Sequence, residues 1–164
     1  MQSHRGEAIL VPFSEFLEMH RALVWRFLAA SVGPIEADDC FQETWIAALR
    51  AYPRLRPGSN GRAWILTIAN RKALDAHRRR SRRAVPVEEI DALAGAAPGA
   101  PPPRDDSLWA AVHALPPKQR AAVLLRHNAD LSHREIAEVL GGSEDAARSA
   151  LREGLARLRR EVSR

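Results

Sequence analysis

Cysteine is nearly missing from this chain: Cys40 stands alone among 164 residues. A single thiol makes no internal disulfide and no cysteine-rich zinc site, so nothing calls for an oxidising compartment, and Cys40 reads as a small, inert apolar residue. Long apolar runs are missing too. No stretch approaches the roughly 18 residues needed to span a bilayer, and residues 1–12 lack the basic-then-apolar pattern of a signal peptide, so a non-exported, cytoplasmic protein is expected. Catalytic motifs are equally scarce. There is no glycine-rich phosphate loop, no serine or cysteine nucleophile motif and no His-x-x-x-His pair, and the six histidines read as surface positions. Glu36, Asp39 and Glu43 share a helix face, but no further ligand supports a metal site, so neither metal nor cofactor is expected. What is present, 46% hydrophobic and 27% charged residues, is the composition of a folded globular chain and excludes wholesale disorder.

The formal net charge is +5, and its distribution is uneven. Residues 71–83 hold seven basic side chains (Arg71, Lys72, Arg78, Arg79, Arg80, Arg82 and Arg83) against one acid, Asp75, while residues 84–106 are net acidic. Cations at a helix end complement its dipole. Seven in one short stretch exceed that need and suit a polyanion such as nucleic acid.

Residues 84–106, rich in Pro, Gly and Ala, carry no sustained helical period and read as a flexible linker. Extended, they reach about 70 Å, enough for the flanking modules to engage sites one or two duplex turns of about 34 Å apart. The first module, residues 1–83, reads as helical throughout. Phe13, Phe16, Leu17, Leu23, Phe27 and Leu28 recur at three-and-four spacing until Gly33-Pro34. A second helix is predicted over about 35–51 and a third from about Gly61, apolar at its start and ending in the arginine run. Trp45 and Trp64 read as core residues rather than base-stacking platforms.

The second module, residues 107–164, carries a sharper pattern. Pro117 opens a helix to about His127. Ser132 with Glu135 forms a capping box, Gly141 is a left-handed stop, and Ser143 caps a last helix with Ala147, Ala150, Leu151, Gly154, Leu155 and Leu158 on one face. A short capped helix, a glycine turn and a longer capped helix make a helix-turn-helix. Glu144, Asp145, Arg148, Ser149 and Arg152 lie opposite its apolar face. Arg148 and Arg152 can reach guanine edges or phosphates, and Ser143 lies at a phosphate-binding helix end. Glu144 and Asp145 repel phosphates, so this helix is expected to bind DNA weakly by itself.

Three stretches in this order resemble the bacterial sigma-70 family, in its small extracytoplasmic-function (ECF) group. Asp38-Asp39-Cys40-Phe41-Gln42-Glu43-Thr44-Trp45 is similar to the acidic helix that docks on the clamp helices of core RNA polymerase. Arg62 to Arg71 with Leu74-Asp75 and the arginines resembles the segment that opens and reads the minus-ten element. Leu115-Pro116-Pro117 with Gln119-Arg120, and Leu131 to Arg159, resemble the module that reads the minus-thirty-five element. Ala146, Ala147, Ala150, Glu153 and Leu155 depart from the residue types more usual there.

The resemblance implies an all-α fold of two small domains: a region 2-like domain of three to four helices over 1–83 and a region 4-like helix-turn-helix over 107–164, joined by the linker. It implies that the protein directs core polymerase to promoters and aids DNA opening, without catalysis of its own. Asp38, Asp39, Gln42 and Glu43 would bind polymerase. Asn60, Arg62, Asn70, Arg71, Lys72, Asp75, Arg78 and Arg79 would contact the minus-ten element, with Asn60 in a pocket for a flipped base. Ser132, Ser143, Glu144, Arg148, Ser149 and Arg152 would contact the minus-thirty-five element, and the polymerase flap would be a further partner of this module. An anti-sigma factor clamped between the modules is the expected regulator. The rival readings are a sigma-like decoy that binds a regulator without supporting transcription, and, more remotely, a DNA-binding enzyme.

Overall fold

The structure, a computed structural model, describes residues 10–83 and 106–163. The expected linker lies outside the described residues except for Asp106, which opens a helix. Seven α-helices are described: α1 (Phe13–Val32), α2 (Pro34–Ala51), α3 (Gly61–Arg82), α4 (Asp106–Ala114), α5 (Pro117–His127), α6 (His133–Leu140) and α7 (Glu144–Val162). A single 3₁₀ turn, Tyr52–Arg54, follows α2.

Helices α1 to α3 form the first unit. Gly33 adopts φ of 87°, donates its N–H to Ala29 O at 3.0 Å, and hands the chain to Pro34 in the first turn of α2, so one residue ends α1 and begins α2. Phe16, Val24, Phe27 and Leu28 of α1 are buried against Ala37, Cys40, Thr44 and Ala48 of α2 and Ile65, Leu66, Ala69 and Ala73 of α3. The alanines let the three axes approach closely while α1 supplies the volume. The buried Thr44 hydroxyl donates to Cys40 O at 2.6 Å, so it adds no unpaired polar group. At one end Phe13, Phe16, Tyr52 and Trp64 form an aromatic cluster with ring centroids 5.1–6.4 Å apart, and the Tyr52 hydroxyl donates to Val11 O at 2.6 Å. Trp45 is buried and Trp64 half-buried against this core, as their helical spacing predicts.

Helices α4 to α7 form the second unit. The predicted capping box is made: Glu135 N donates to Ser132 Oγ at 3.3 Å and Ser132 N to Glu135 Oε2 at 2.7 Å. Gly141 is left-handed at φ 69°, and Gly142 N bonds Ala137 O at 3.0 Å. Helix α7 packs closely on α5 at Gly154, where a Cβ would stand 2.9 Å from Val123 Cγ2. Short α4, which the sequence patterns did not isolate, packs on α7 and α1.

The two units are not held apart. Helix α1 meets α4 and α5, α3 meets α6, and the buried residues form one continuous core. Arg120 lies at the joint, 8% exposed. Its guanidinium donates to Ser31 O in the last turn of α1 at 2.5 Å, to Val112 O at 3.2 Å, to Leu115 O at 3.0 Å and also to His113 O. One side chain thus satisfies carbonyls left open at the ends of two helices, one from each unit.

His20, His77 and His113 depart from the surface positions expected of them. His77 Nε2 lies 3.5 Å from Arg120 Nη1, His113 is half-buried beside the same guanidinium, and His20 packs on the Phe16 ring at 4.5 Å. For His77 and His113 the physical reason is the packing of one unit on the other around Arg120; His20 is covered by Phe16 of its own unit. Burial, and then Arg120, lowers the pKa of both His77 and His113. Burial, and then Arg62, lowers that of His20.

Candidate nucleic-acid interface

Helix α3 and its cap hold all the residues nominated for the minus-ten element. Asn60 caps it, with its side-chain oxygen accepting from Ala63 N at 3.1 Å. Apolar residues Ile65, Leu66, Ala69, Ala73 and Ala76 bury one face, and the helix then runs out of core, leaving Arg78, Arg79, Arg80, Arg82 and Arg83 exposed. Arg78 reaches Asp75 at 3.6 Å and Arg80 reaches Glu36 at 3.8 Å, yet both keep two-thirds of their side-chain surface in water. Solvated pairs of this kind are worth roughly 0–1 kcal/mol, so a phosphate can replace the carboxylate at little cost. Arg71 is exposed. Asn70 is only 4% exposed, within the helix packing, and has no access to DNA in this arrangement.

The residues nominated for polymerase lie on α2, next to that cationic end. Asp38, Asp39 and Gln42 are exposed. Glu43 turns toward α3, where its carboxylate is 3.9 Å from Lys72 Nζ and 3.8 Å from Arg79 Nη1. Sequence reasoning missed Ile35 and Ile46 on this surface and counted Leu49 with Phe41, Trp45 and Ala48 in the apolar stripe that faces the core, whereas Leu49 lies on the exposed side of the helix. Ile35, Ile46 and Leu49 are 74%, 51% and 56% exposed. With Asp39 and Gln42 they follow a 4-3-4-3 spacing (35, 39, 42, 46, 49), the seam by which one helix packs along another. Attention to the buried stripe hid this second periodicity on the opposite face.

On the helix-turn-helix the nominated groups are largely committed to their own helices. Ser132 and Ser143 are caps, the latter accepting from Ala146 N at 3.1 Å. Arg148 pairs with Glu144 at 2.5 Å and with Asp145 at 3.8 Å, which offsets one of the two negative charges in the first turn of α7. Ser149 is half-buried, and Arg152 is exposed. Cys40 is buried with its Sγ 3.8 Å from Lys72 O. Burial foremost, with the Glu43 and Glu36 carboxylates adding to it, pushes the thiol up to about 11. Among the described residues no three His, Cys, Asp or Glu side chains gather as metal ligands, and no helix is long and apolar enough to cross a membrane.

The loop before α3 meets the second unit. Asn60 Nδ2 donates to Glu135 Oε1, and Arg62 Nη1 donates to Ala129 O at 2.9 Å. Between them is a polar cavity of about 390 Å³, lined in part by His20, Asn60, Arg62, Asp130 and Glu135.

Comparison with known proteins places these surfaces in context. A family profile described as Sigma-70 region 2 matches residues 16–83, and one described as Sigma-70, region 4 matches residues 105–158. The chain is 36% identical to the ECF RNA polymerase sigma factor SigD of Mycobacterium tuberculosis, over 99% of this chain and 86% of the relative. It is 34% identical to the RNA polymerase sigma factor CarQ of Myxococcus xanthus, over 90% and 87%. Among solved structures, the sigma factor RpoE of Bartonella quintana, in complex with the anti-sigma factor NepR, superposes with a TM-score of 0.78 at 23% identity, covering 92% of this chain and 96% of that one. At that identity the likeness speaks for the fold.

Proposed function

Since the chain belongs to the ECF sigma factors and directs core RNA polymerase to promoters, we propose how its surfaces divide that work. The exposed α2 stripe, Ile35, Asp39, Gln42, Ile46 and Leu49, docks along a helix of the polymerase clamp, with Asp38 beside it. Glu43 sits at the border between this seam and the DNA-facing helix. The end of α3, through Arg71, Lys72, Arg78 and Arg79, neutralises phosphates of the opening duplex. The loop ending at Asn60, with Arg62, receives an unstacked base.

Opening DNA costs about 1–2 kcal/mol of stacking per step, so capture of a base as it emerges shifts the balance toward the open state. Helix α7 contributes weakly through Arg152, and through Arg148 once DNA competes with Glu144 and Asp145. The protein acts in the cytoplasm and forms no covalent bond itself. An anti-sigma factor is its expected regulator; RpoE of Bartonella quintana, which shares the fold, was solved in complex with one, NepR.

The observation that carries this reading is the adjacency of α2 and α3 at Glu43, within 4 Å of both Lys72 and Arg79. A chain seated by α2 brings its densest cations to DNA beside the clamp. Transcription with purified core polymerase tests it. Wild type should yield promoter-specific products, and Asp39→Arg or Ile46→Glu should lower polymerase affinity at least about tenfold, which is about 1.4 kcal/mol. Unchanged affinity and transcription in both variants would overturn the docking assignment.

A further inference from the structure

The loop and first turn of α3, assigned above to promoter contact, are occupied by the chain's own second unit. Asn60 offers its side-chain oxygen to the α3 cap and its amide to Glu135, so both ends of this side chain are engaged. Arg62 reaches across to Ala129 O at 2.9 Å. Glu135 cannot swing aside freely, because its other carboxylate oxygen accepts from Ser132 N at 2.7 Å within the capping box. Those cap bonds foremost, then Asn60 and Arg62, hold its carboxyl below the ordinary value, so it stays anionic.

The chemistry is that of substitution. A carboxylate on the Asn60 amide, beside the Arg62 guanidinium, supplies the anionic oxygen acceptor that a phosphate or base edge would supply. Asp130, exposed and lining the same cavity, adds a second negative charge there. Trp64 and Thr67 of α3 line an adjoining groove together with Glu138 of α6. At the far end of the joint, Arg120 ties α1 to the end of α4 and fixes the second unit in this pose.

We propose that α6 is a built-in competitor for the promoter-reading surface: Glu135 holds the Asn60–Arg62 site in the free chain, and DNA gains it only after the second unit releases. The proposal rests on the assignment of Asn60 and Arg62 to promoter contact. Its conformational half is read without polymerase or DNA.

The test uses the full-length chain with Glu135→Arg, which faces Arg62 with a second cation. Glu161→Arg, the same charge change on the exposed last turn of α7, is the control. Small-angle scattering reads the radius of gyration, and short randomised-sequence single-stranded DNA reads affinity. Apparent affinity scales with the open fraction, so a chain open about one-tenth of the time gains about tenfold when the latch is lost. Glu135→Arg should expand the chain and tighten DNA binding by about that factor, while the control does neither.

Arg120→Lys, which keeps the charge but gives up the fork spanning α1 and α4, should move both readouts in the same direction. It decides the matter if Glu135→Arg loses its helical circular dichroism. A chain that stays compact in the folded variant, or expands with no gain over the control, overturns the proposal. The underlying assignment fails separately, if core polymerase with wild type gives no promoter-specific transcripts.

Discussion

Cys40 shows how a residue's surroundings set its chemistry. A thiol pushed up to about 11 by burial and two nearby carboxylates is almost wholly protonated near neutral pH, and the protonated form is a poor nucleophile. Iodoacetamide should therefore leave the native chain unlabelled on the timescale that modifies it completely in urea; stoichiometric labelling of the folded chain at pH 7.5 would contradict this. The chain's single cysteine becomes a clean reporter of unfolding. Its inertness was legible in sequence, where a lone cysteine reads as a small apolar residue. The role of Arg120 was not, because Ser31 and Arg120 are 89 residues apart and no local spacing relates them.

Helix boundaries were the most legible feature, because they are set by local chemistry. Pro34, Gly33, the Ser132–Glu135 box, Gly141 and Ser143 act within four residues of themselves, and each ends or starts a helix where its sequence context predicts. Helix α4 has no such signal and is held by packing on α7 and α1, so it stayed hidden. Helix α7 yields a prediction of the same packing kind. Alanine at 154 would gain about 1 kcal/mol of helix propensity, but its Cβ would stand 2.9 Å from Val123 Cγ2 and 3.2 Å from Gln119 O. Overpacking costs typically 1–3 kcal/mol, so Gly154→Ala should lower stability in urea denaturation; an increase would mean that α5 yields easily. On α3, Arg79→Ala should reduce the slope of log affinity against log salt by about one. Glu43→Gln, which frees Lys72 and Arg79, should tighten DNA binding modestly. Equal slopes for wild type and Arg79→Ala would remove Arg79 from the phosphate contacts.

The joint between the two units is where the sequence was least informative, because it depends on surfaces that only the assembled fold creates. It also makes the molecule sensitive to pH. His77 faces Arg120, Arg80, Glu36 and His113, and His113 faces Arg120 and Arg80. Both have pKa values lowered from 6.5 in the packed state, chiefly by burial. Separated or unfolded chains then bind protons that the packed chain refuses. Stability of packing is thus full above about pH 6.5 and falls as pH drops below it. Glu135, with its carboxyl lowered from 4.5, adds nothing in that window, since its contribution is lost only at more acid pH. The melting midpoint should fall between pH 7.5 and 5.5, and His77→Gln should flatten the dependence; a flat wild-type profile would count against the histidine cluster.

The α2 stripe is open while the entrance to α3 is covered. Under the assignments proposed above, a chain in this state can board the enzyme while its base-receiving loop is still closed, so the order of those two steps is set by which side of the molecule faces water.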